Sequence, residues 1–252
     1  MSGTEIALKA LTCLDLTNLD DACTEDDVRA LAARGTTLHG TVAALCVWPR
    51  FVTLARSVAS PDIKIATVVA FPTGTETAEE AIEQTEAAIR DGADEIDVVI
   101  PYRALMEGRP EKVTARVERV KRAAFPAPVK AILETGMLDS AEMTRQTSEL
   151  ALAGGADFLK TSTGKVPVNA TLSAAETMLT AIKQSGRPGV GFKAAGGIRT
   201  VEDAAAYLSL ADEIMGEGWA GPATFRFGAS GLLDALLAAI EGGEGPAASD
   251  GY

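Results

Sequence analysis

Two lysines carry the chemistry open to this chain. Lys160 closes the run Ala156-Asp157-Phe158-Leu159-Lys160 and opens onto the polar loop Thr161-Ser162-Thr163-Gly164-Lys165. Lys193 repeats the arrangement in Gly189-Val190-Gly191-Phe192-Lys193, ahead of Ala194-Ala195-Gly196-Gly197. An ammonium at the end of a buried strand is costly unless it is neutralised, paired or used. Two of them ending successive strands point to a lysine pair in one pocket, where one depresses the pKa of the other. A lysine held neutral in this way is a nucleophile near neutral pH and condenses with a carbonyl. The resulting iminium withdraws electrons from the adjacent carbon, so that a C–C bond breaks or a proton leaves without a metal.

The elements that must hold these lysines are strands alternating with helices. Strands are expected at 12–16, 41–48, 63–71, 94–100, 129–134, 157–160, 190–193 and 224–227, and most are apolar almost throughout, as parallel strands covered on both faces are. Between them lie amphipathic segments with helix-start signals, such as Thr24-Glu25-Asp26-Asp27 and Thr200-Val201-Glu202-Asp203. A helix over 103–124 is expected to break near Gly108-Arg109-Pro110. Eight such units in 252 residues fit an α/β fold with a single (β/α)8 TIM barrel over 1–241, followed by a flexible tail over 242–252. An open doubly wound sheet is the alternative, weakened by the lack of a glycine fingerprint after the first strand.

In such a barrel the active site lies at the C-terminal ends of the strands. Asp15, Cys46, Asp97, Glu134, Lys160 and Lys193 fall at or near those ends. The loops after the last three strands carry Lys165, Gly196-Gly197 and Gly228-Ala229-Ser230-Gly231. Glycine amides and a hydroxyl at a helix start suit a phosphate group. A net charge of −12 argues against nucleic acid and against an anionic membrane surface as partners. The single histidine, His39, excludes multi-histidine metal sites and reads as a turn or helix-end residue. Three cysteines, Cys13, Cys23 and Cys46, match no zinc spacing, and no secretory or spanning segment is evident, so a cytoplasmic setting is expected. No metal or other cofactor is called for.

Six segments resemble the deoxyribose-phosphate aldolases, class I aldolases of the (β/α)8 type. They are Leu14-Asp15-Leu16-Thr17, Cys46-Val47-Trp48-Pro49-Arg50-Phe51, Ala93-Asp94-Glu95-Ile96-Asp97-Val98-Val99, Phe158-Leu159-Lys160-Thr161-Ser162-Thr163-Gly164-Lys165, Val190-Gly191-Phe192-Lys193-Ala194-Ala195-Gly196-Gly197 and Arg226-Phe227-Gly228-Ala229-Ser230. The resemblance implies a Schiff base on Lys160, with Lys193 lowering its pKa. It implies a proton relay of Asp97, Lys193 and water, with Asp15 helping to bind the substrate hydroxyls and ordering the relay. Thr161, Lys165, Gly196, Gly197 and Ser230, with Cys46 nearby, would line the substrate and phosphate site, and the C-terminal Tyr252 would assist proton transfer. The implied reaction is reversible cleavage of 2-deoxy-D-ribose 5-phosphate to acetaldehyde and D-glyceraldehyde 3-phosphate, in a homodimer. Ala194 and Gly231 depart from the family, which often has Pro and a second Ser there. Two rivals remain at this point: a carboxylate-base isomerase or lyase acting on a sugar phosphate, and a phosphosugar-binding module without catalysis.

Overall fold

The computed structural model describes residues 1–242. Its eight barrel strands, in chain order, are β1 Leu14–Asn18, β2 Ala44–Val47, β3 Lys64–Val69, β4 Glu95–Val99, β5 Val129–Ile132, β6 Phe158–Lys160, β7 Gly191–Ala195 and β8 Phe225–Ala229. Each runs parallel to the next, and β8 returns to β1 through the register Leu14↔Phe227, Asp15↔Gly228 and Leu16↔Ala229. That last ladder closes the sheet and rules out the open doubly wound alternative. The helices follow the expected start signals. Thr24, Thr77 and Thr200 each cap a helix and form capping boxes with Asp27, Glu80 and Asp203, satisfying amides that the helix itself leaves unpaired.

Several element boundaries differ from the sequence-based expectation, β3 ending at Val69 and β7 running on to Ala195 among them. The stretch 12–16 is not where β1 begins: a helix, Gly3–Thr12, capped by Ser2, precedes it, and β1 starts at Leu14. The second strand begins at Ala44 rather than 41, because Thr36–Thr37 and Gly40–Thr41 pair as a short hairpin that carries His39 in its turn. The fifth strand stops at Ile132, and Glu134 turns into the left-handed region at φ 53°. The eighth runs on to Ala229 instead of ending at 227. The expected break at Gly108-Arg109-Pro110 is present and divides Tyr102–Met106 from Glu111–Ala124.

The period of two along each strand sorts the barrel into two interiors. Leu14, Leu16, Leu45, Ile96, Val98, Leu159, Phe192, Phe225 and Phe227 join the large apolar core. Ala44, Cys46, Ala66 and Val68, with Leu19, form a separate small cluster. The rest of the lumen holds the charged side chains and the Phe158 ring. Two glycines make room in it. A Cβ on Gly191 would lie 2.2 Å from Phe158 Cε1, and one on Gly228 would lie 2.9 Å from Lys193 Cε.

The Phe158 ring therefore occupies the volume that a side chain at 191 would need. Gly191→Ala should lower stability by about 1–3 kcal/mol, the usual cost of overpacking a filled core. Thermal unfolding reads this as a lowered midpoint that Phe158→Leu in the same chain partly restores. An unchanged midpoint would mean that the ring moves aside without cost.

Candidate active site

Seven charged side chains meet inside the barrel, and none is more than 6% exposed. Asp97, from β4, stands at the centre. Its Oδ2 accepts hydrogen bonds from Lys160 and from Lys193, both at 2.8 Å, and its Oδ1 accepts from Lys130 at 2.8 Å. Asp15, from β1, accepts from Lys193 at 2.5 Å through one oxygen and from Arg226 at 2.6 Å through the other. Glu95 lies two residues before Asp97 on the same face of β4. It sits 2.6 Å from Lys130 Nζ and accepts from Arg226 at 2.8 and 3.1 Å. Parallel pairing aligns Lys160 with Lys193 across β6 and β7, and Asp97 with Lys130 across β4 and β5.

These contacts set three carboxylates against four cations. Buried charge is tolerated only when it is paired, so one cation is surplus. Lys160 is the natural one to lose its proton. It has a single carboxylate oxygen within contact, and it shares that oxygen with Lys193. Burial lowers the Lys160 pKa from its ordinary value; Asp97 opposes this, and Lys193 adds to the lowering. Burial also works against the ammonium of Lys193, but Asp15 and Asp97 outweigh it and hold its pKa above the usual lysine value. Lys130 is raised in the same way by Asp97, Glu95 and Asp15. The lysine pair expected from the sequence thus exists, but desolvation, rather than the second ammonium, is the main cause of the lowered Lys160 pKa.

The other expected site residues are placed less uniformly. Cys46 is fully buried against Leu19, Ala44, Ala66 and Val68, and burial pushes its thiol pKa up. Thr161 is also fully buried. Its Oγ1 donates to the Ala195 carbonyl and accepts from the Ala195 amide, which ties β6 to β7. Lys165 reaches across to Asp21, 3.4 Å away, and lies over the Trp48 ring. Gly196 and Gly197 both take positive φ, 83° and 84°, and a side chain at 196 would strike Asn169. Ser230 stands half-buried just before the helix Leu232–Ile240. Tyr252, and all but the first residue of the expected tail, lie outside the described residues.

Three members of the buried network were not singled out from the sequence: Lys130, Glu95 and Arg226. The signal for Lys130 was the same as for Lys160, a cation in an apolar run, here Val129-Lys130-Ala131-Ile132. Glu95 shares the alternation that marked Asp97. Glu134 lies at the end of β5, as expected, but its carboxyl is engaged by the amide and hydroxyl of Thr163 at 3.1 and 2.6 Å. Burial raises its pKa.

A closed parallel barrel that buries one lysine of lowered pKa beside lysines of raised pKa suits an enzyme that works on carbonyls through an amine. The chain belongs to the DeoC/LacD aldolase family, whose model matches residues 9–237. It is 53% identical over 251 residues to the deoxyribose-phosphate aldolase of Agrobacterium fabrum, covering 98% of this chain and 96% of that one. Among solved structures it superimposes with a TM-score of 0.88 on the apo form of a Toxoplasma gondii ME49 protein assigned as a deoxyribose-phosphate aldolase, at 26% identity over 95% and 97% of the two chains. The tetrameric deoxyribose phosphate aldolase of Aeropyrum pernix matches with a TM-score of 0.73 and 25% identity, over 94% and 92%.

Asp15, Glu95 and Asp97 are all held below their ordinary values of 3.8, 4.5 and 3.8; burial alone would raise each, and the neighbouring cations overturn it. A carboxylate with a depressed folded pKa contributes stability that is fully present above its unfolded value and lost as pH falls through the folded one. Asp97→Asn, which leaves three lysines without that charge, should cost about 3–5 kcal/mol at neutral pH. The difference from wild type should shrink steadily below about pH 4. Denaturant midpoints measured across pH check this, and a gap independent of pH would contradict the charge assignment.

Proposed function

We propose that the protein is a class I aldolase that reversibly cleaves 2-deoxy-D-ribose 5-phosphate to acetaldehyde and D-glyceraldehyde 3-phosphate. The observation that carries this is the surplus cation: four cations and three carboxylates in one dry cluster, with Lys160 the least well paired. In the cleavage direction the Lys160 amine attacks C1 of the open-chain aldehyde. The carbinolamine loses water, with Lys193 as proton donor to the departing hydroxyl, and leaves an iminium beside Asp97. The C2–C3 bond then breaks. Its electron pair flows into the iminium, giving a neutral enamine, while the C3 hydroxyl proton passes to Asp97 and water, and C3 leaves as the aldehyde of glyceraldehyde 3-phosphate. Protonation of the enamine carbon and hydrolysis release acetaldehyde and return the amine. A carboxylate shared by two lysines suits this cycle, because it stabilises the iminium charge and accepts protons without rearranging.

Lys165, the amides at Gly196 and Gly197 and the Ser230 hydroxyl are assigned to the phosphate group. Support comes from the paired positive-φ glycines and from the helix start beside Ser230. Asp15 orders the relay through Lys193, and Thr161 fixes the strand that carries Lys160. Cys46 forms part of the apolar wall near the lysines. The ligands on this reading are phosphorylated sugars and small aldehydes. A homodimer working in the cytoplasm accompanies it. The cytoplasmic setting is supported by three buried, unbridged cysteines, and self-association by the tetrameric relative. No described helix is long and apolar enough to cross a membrane.

Borohydride reduction in the presence of acetaldehyde tests the reading. One ethyl adduct should map to Lys160, with loss of activity, and Lys160→Arg should abolish both adduct and cleavage. An adduct on Lys193 would exchange the two lysine roles. No adduct in a folded protein would favour a carboxylate-base enzyme or a binding module. A proton-transfer role for Tyr252 is a separate proposal: removing that residue should slow exchange of the acetaldehyde methyl protons with solvent, and an unchanged exchange rate would refute it.

A further inference from the structure

The buried network extends below the three residues that the reaction uses. Arg226 spans Asp15 and Glu95, and Lys130 joins Glu95 to Asp97. Neither Glu95 nor Arg226 contacts Lys160. Glu95 reaches Asp97, the Lys160 partner, through Lys130, and Arg226 stands one contact further off, reaching it through Asp15 and Lys193 or through Glu95 and Lys130. We propose that Glu95 and Arg226 are positioning residues that decide, by opposite charge contributions, whether Lys160 carries a proton. This rests on the aldolase reading above and goes beyond it, because two residues remote from the substrate would govern the working pH.

The charge count gives the direction. With Lys160 neutral, Asp15, Glu95 and Asp97 balance Lys130, Lys193 and Arg226. Loss of the Glu95 charge leaves the cluster with one excess positive charge, which resists a proton on Lys160. Loss of the Arg226 charge leaves one excess negative charge, which invites it. The remaining elements do not offset either change. From β2 the facing group is Cys46, whose thiol burial keeps protonated. From β3 the facing side chains are Ala66 and Val68. After β5, the Glu134 carboxyl is engaged by the amide and hydroxyl of Thr163, bonds that neither substitution touches. The network is also rigidly placed: Arg226 Nε donates to the Pro222 carbonyl at 2.6 Å, and its guanidinium lies over the Phe158 ring. Its charge therefore sits at a fixed point below the amines.

The test compares the wild type with Glu95→Gln, Arg226→Gln, Arg226→Lys and the double variant Glu95→Gln/Arg226→Gln. Two quantities are followed against pH: the rate at which acetaldehyde and borohydride label Lys160, and kcat/KM for cleavage. The acid limb of both should move down by about one pH unit in Glu95→Gln and up by about one in Arg226→Gln, the lower end of what a neighbouring charge does. At a pH on the limb these are about tenfold gains and losses in labelling rate. The double variant should return to the wild-type limb, and Arg226→Lys should restore it with only the amplitude changed. A merely structural role would lower melting temperature and amplitude in both single variants and leave the limb in place; that result overturns the inference. If Glu95→Gln does not fold, the comparison of Arg226→Gln with Arg226→Lys decides alone, and a limb displaced equally in both refutes the charge argument. A wild-type protein that gives no Lys160 adduct would instead bring down the aldolase reading itself. That outcome is distinct from an adduct that forms but whose limb does not move.

Discussion

The structure depends on one shared carboxylate. Asp97 accepts from three lysines on two oxygens, all of them buried in the lumen. Without it, Lys193 would keep its bond to Asp15, and Lys160 would have no carboxylate in contact to offset its burial. With it, the two amines become unlike. The one that also holds Asp15 has its pKa raised, and the one left with half a share of Asp97 has it lowered. The division follows from the count and position of partners, because the two side chains are chemically identical.

The scaffold serves this division by fixing register. Lys160 and Lys193 are direct neighbours in the β6–β7 ladder, and the Thr161 hydroxyl bonds to both the amide and the carbonyl of Ala195 one step further on. A slip of one residue would turn either lysine out of the lumen and into the helix layer. Gly228 belongs to the same arrangement, since its missing side chain leaves space for the aliphatic stem of Lys193. The glycine loops after β7 and β8 are built differently. They rely on backbone conformation at Gly196 and Gly197, so their identity lies in φ angles more than in side chains.

Much of this was legible in the sequence. The eight strands, the closing lysines and Asp97 announce themselves as charges in apolar runs, and the helix starts are written in Thr-x-x-Asp and Thr-x-x-Glu. The N-terminal helix was legible too: Ser2 and Glu5 make a capping box, but Thr12 and Cys13 next to Leu14 read as strand. Lys130 was hidden because attention falls on the charged end of its run, at Glu134. What could not be read was the sharing of Asp97 Oδ2. That depends on barrel stagger and side-chain reach across four strands, neither of which leaves a mark on local pattern. For the same reason Thr161 looked like a ligand contact: a hydroxyl beside a catalytic lysine has the same sequence signature whether it faces substrate or the next strand.

The distribution of the network along the chain has a consequence for how the molecule comes together. All three acids, Asp15, Glu95 and Asp97, belong to β1–β4, and all four cations, Lys130, Lys160, Lys193 and Arg226, belong to β5–β8. Neither half-barrel can desolvate its own lumen, because each would bury charges of one sign only. The first half emerging from a ribosome must therefore keep its acids wet and its sheet open until the second half arrives. Closure of the two halves is then a neutralisation as well as a folding step. The same electrostatics that prepare one amine for chemistry disfavour a pairing of two like halves, the most obvious wrong assembly open to a repeating β/α chain.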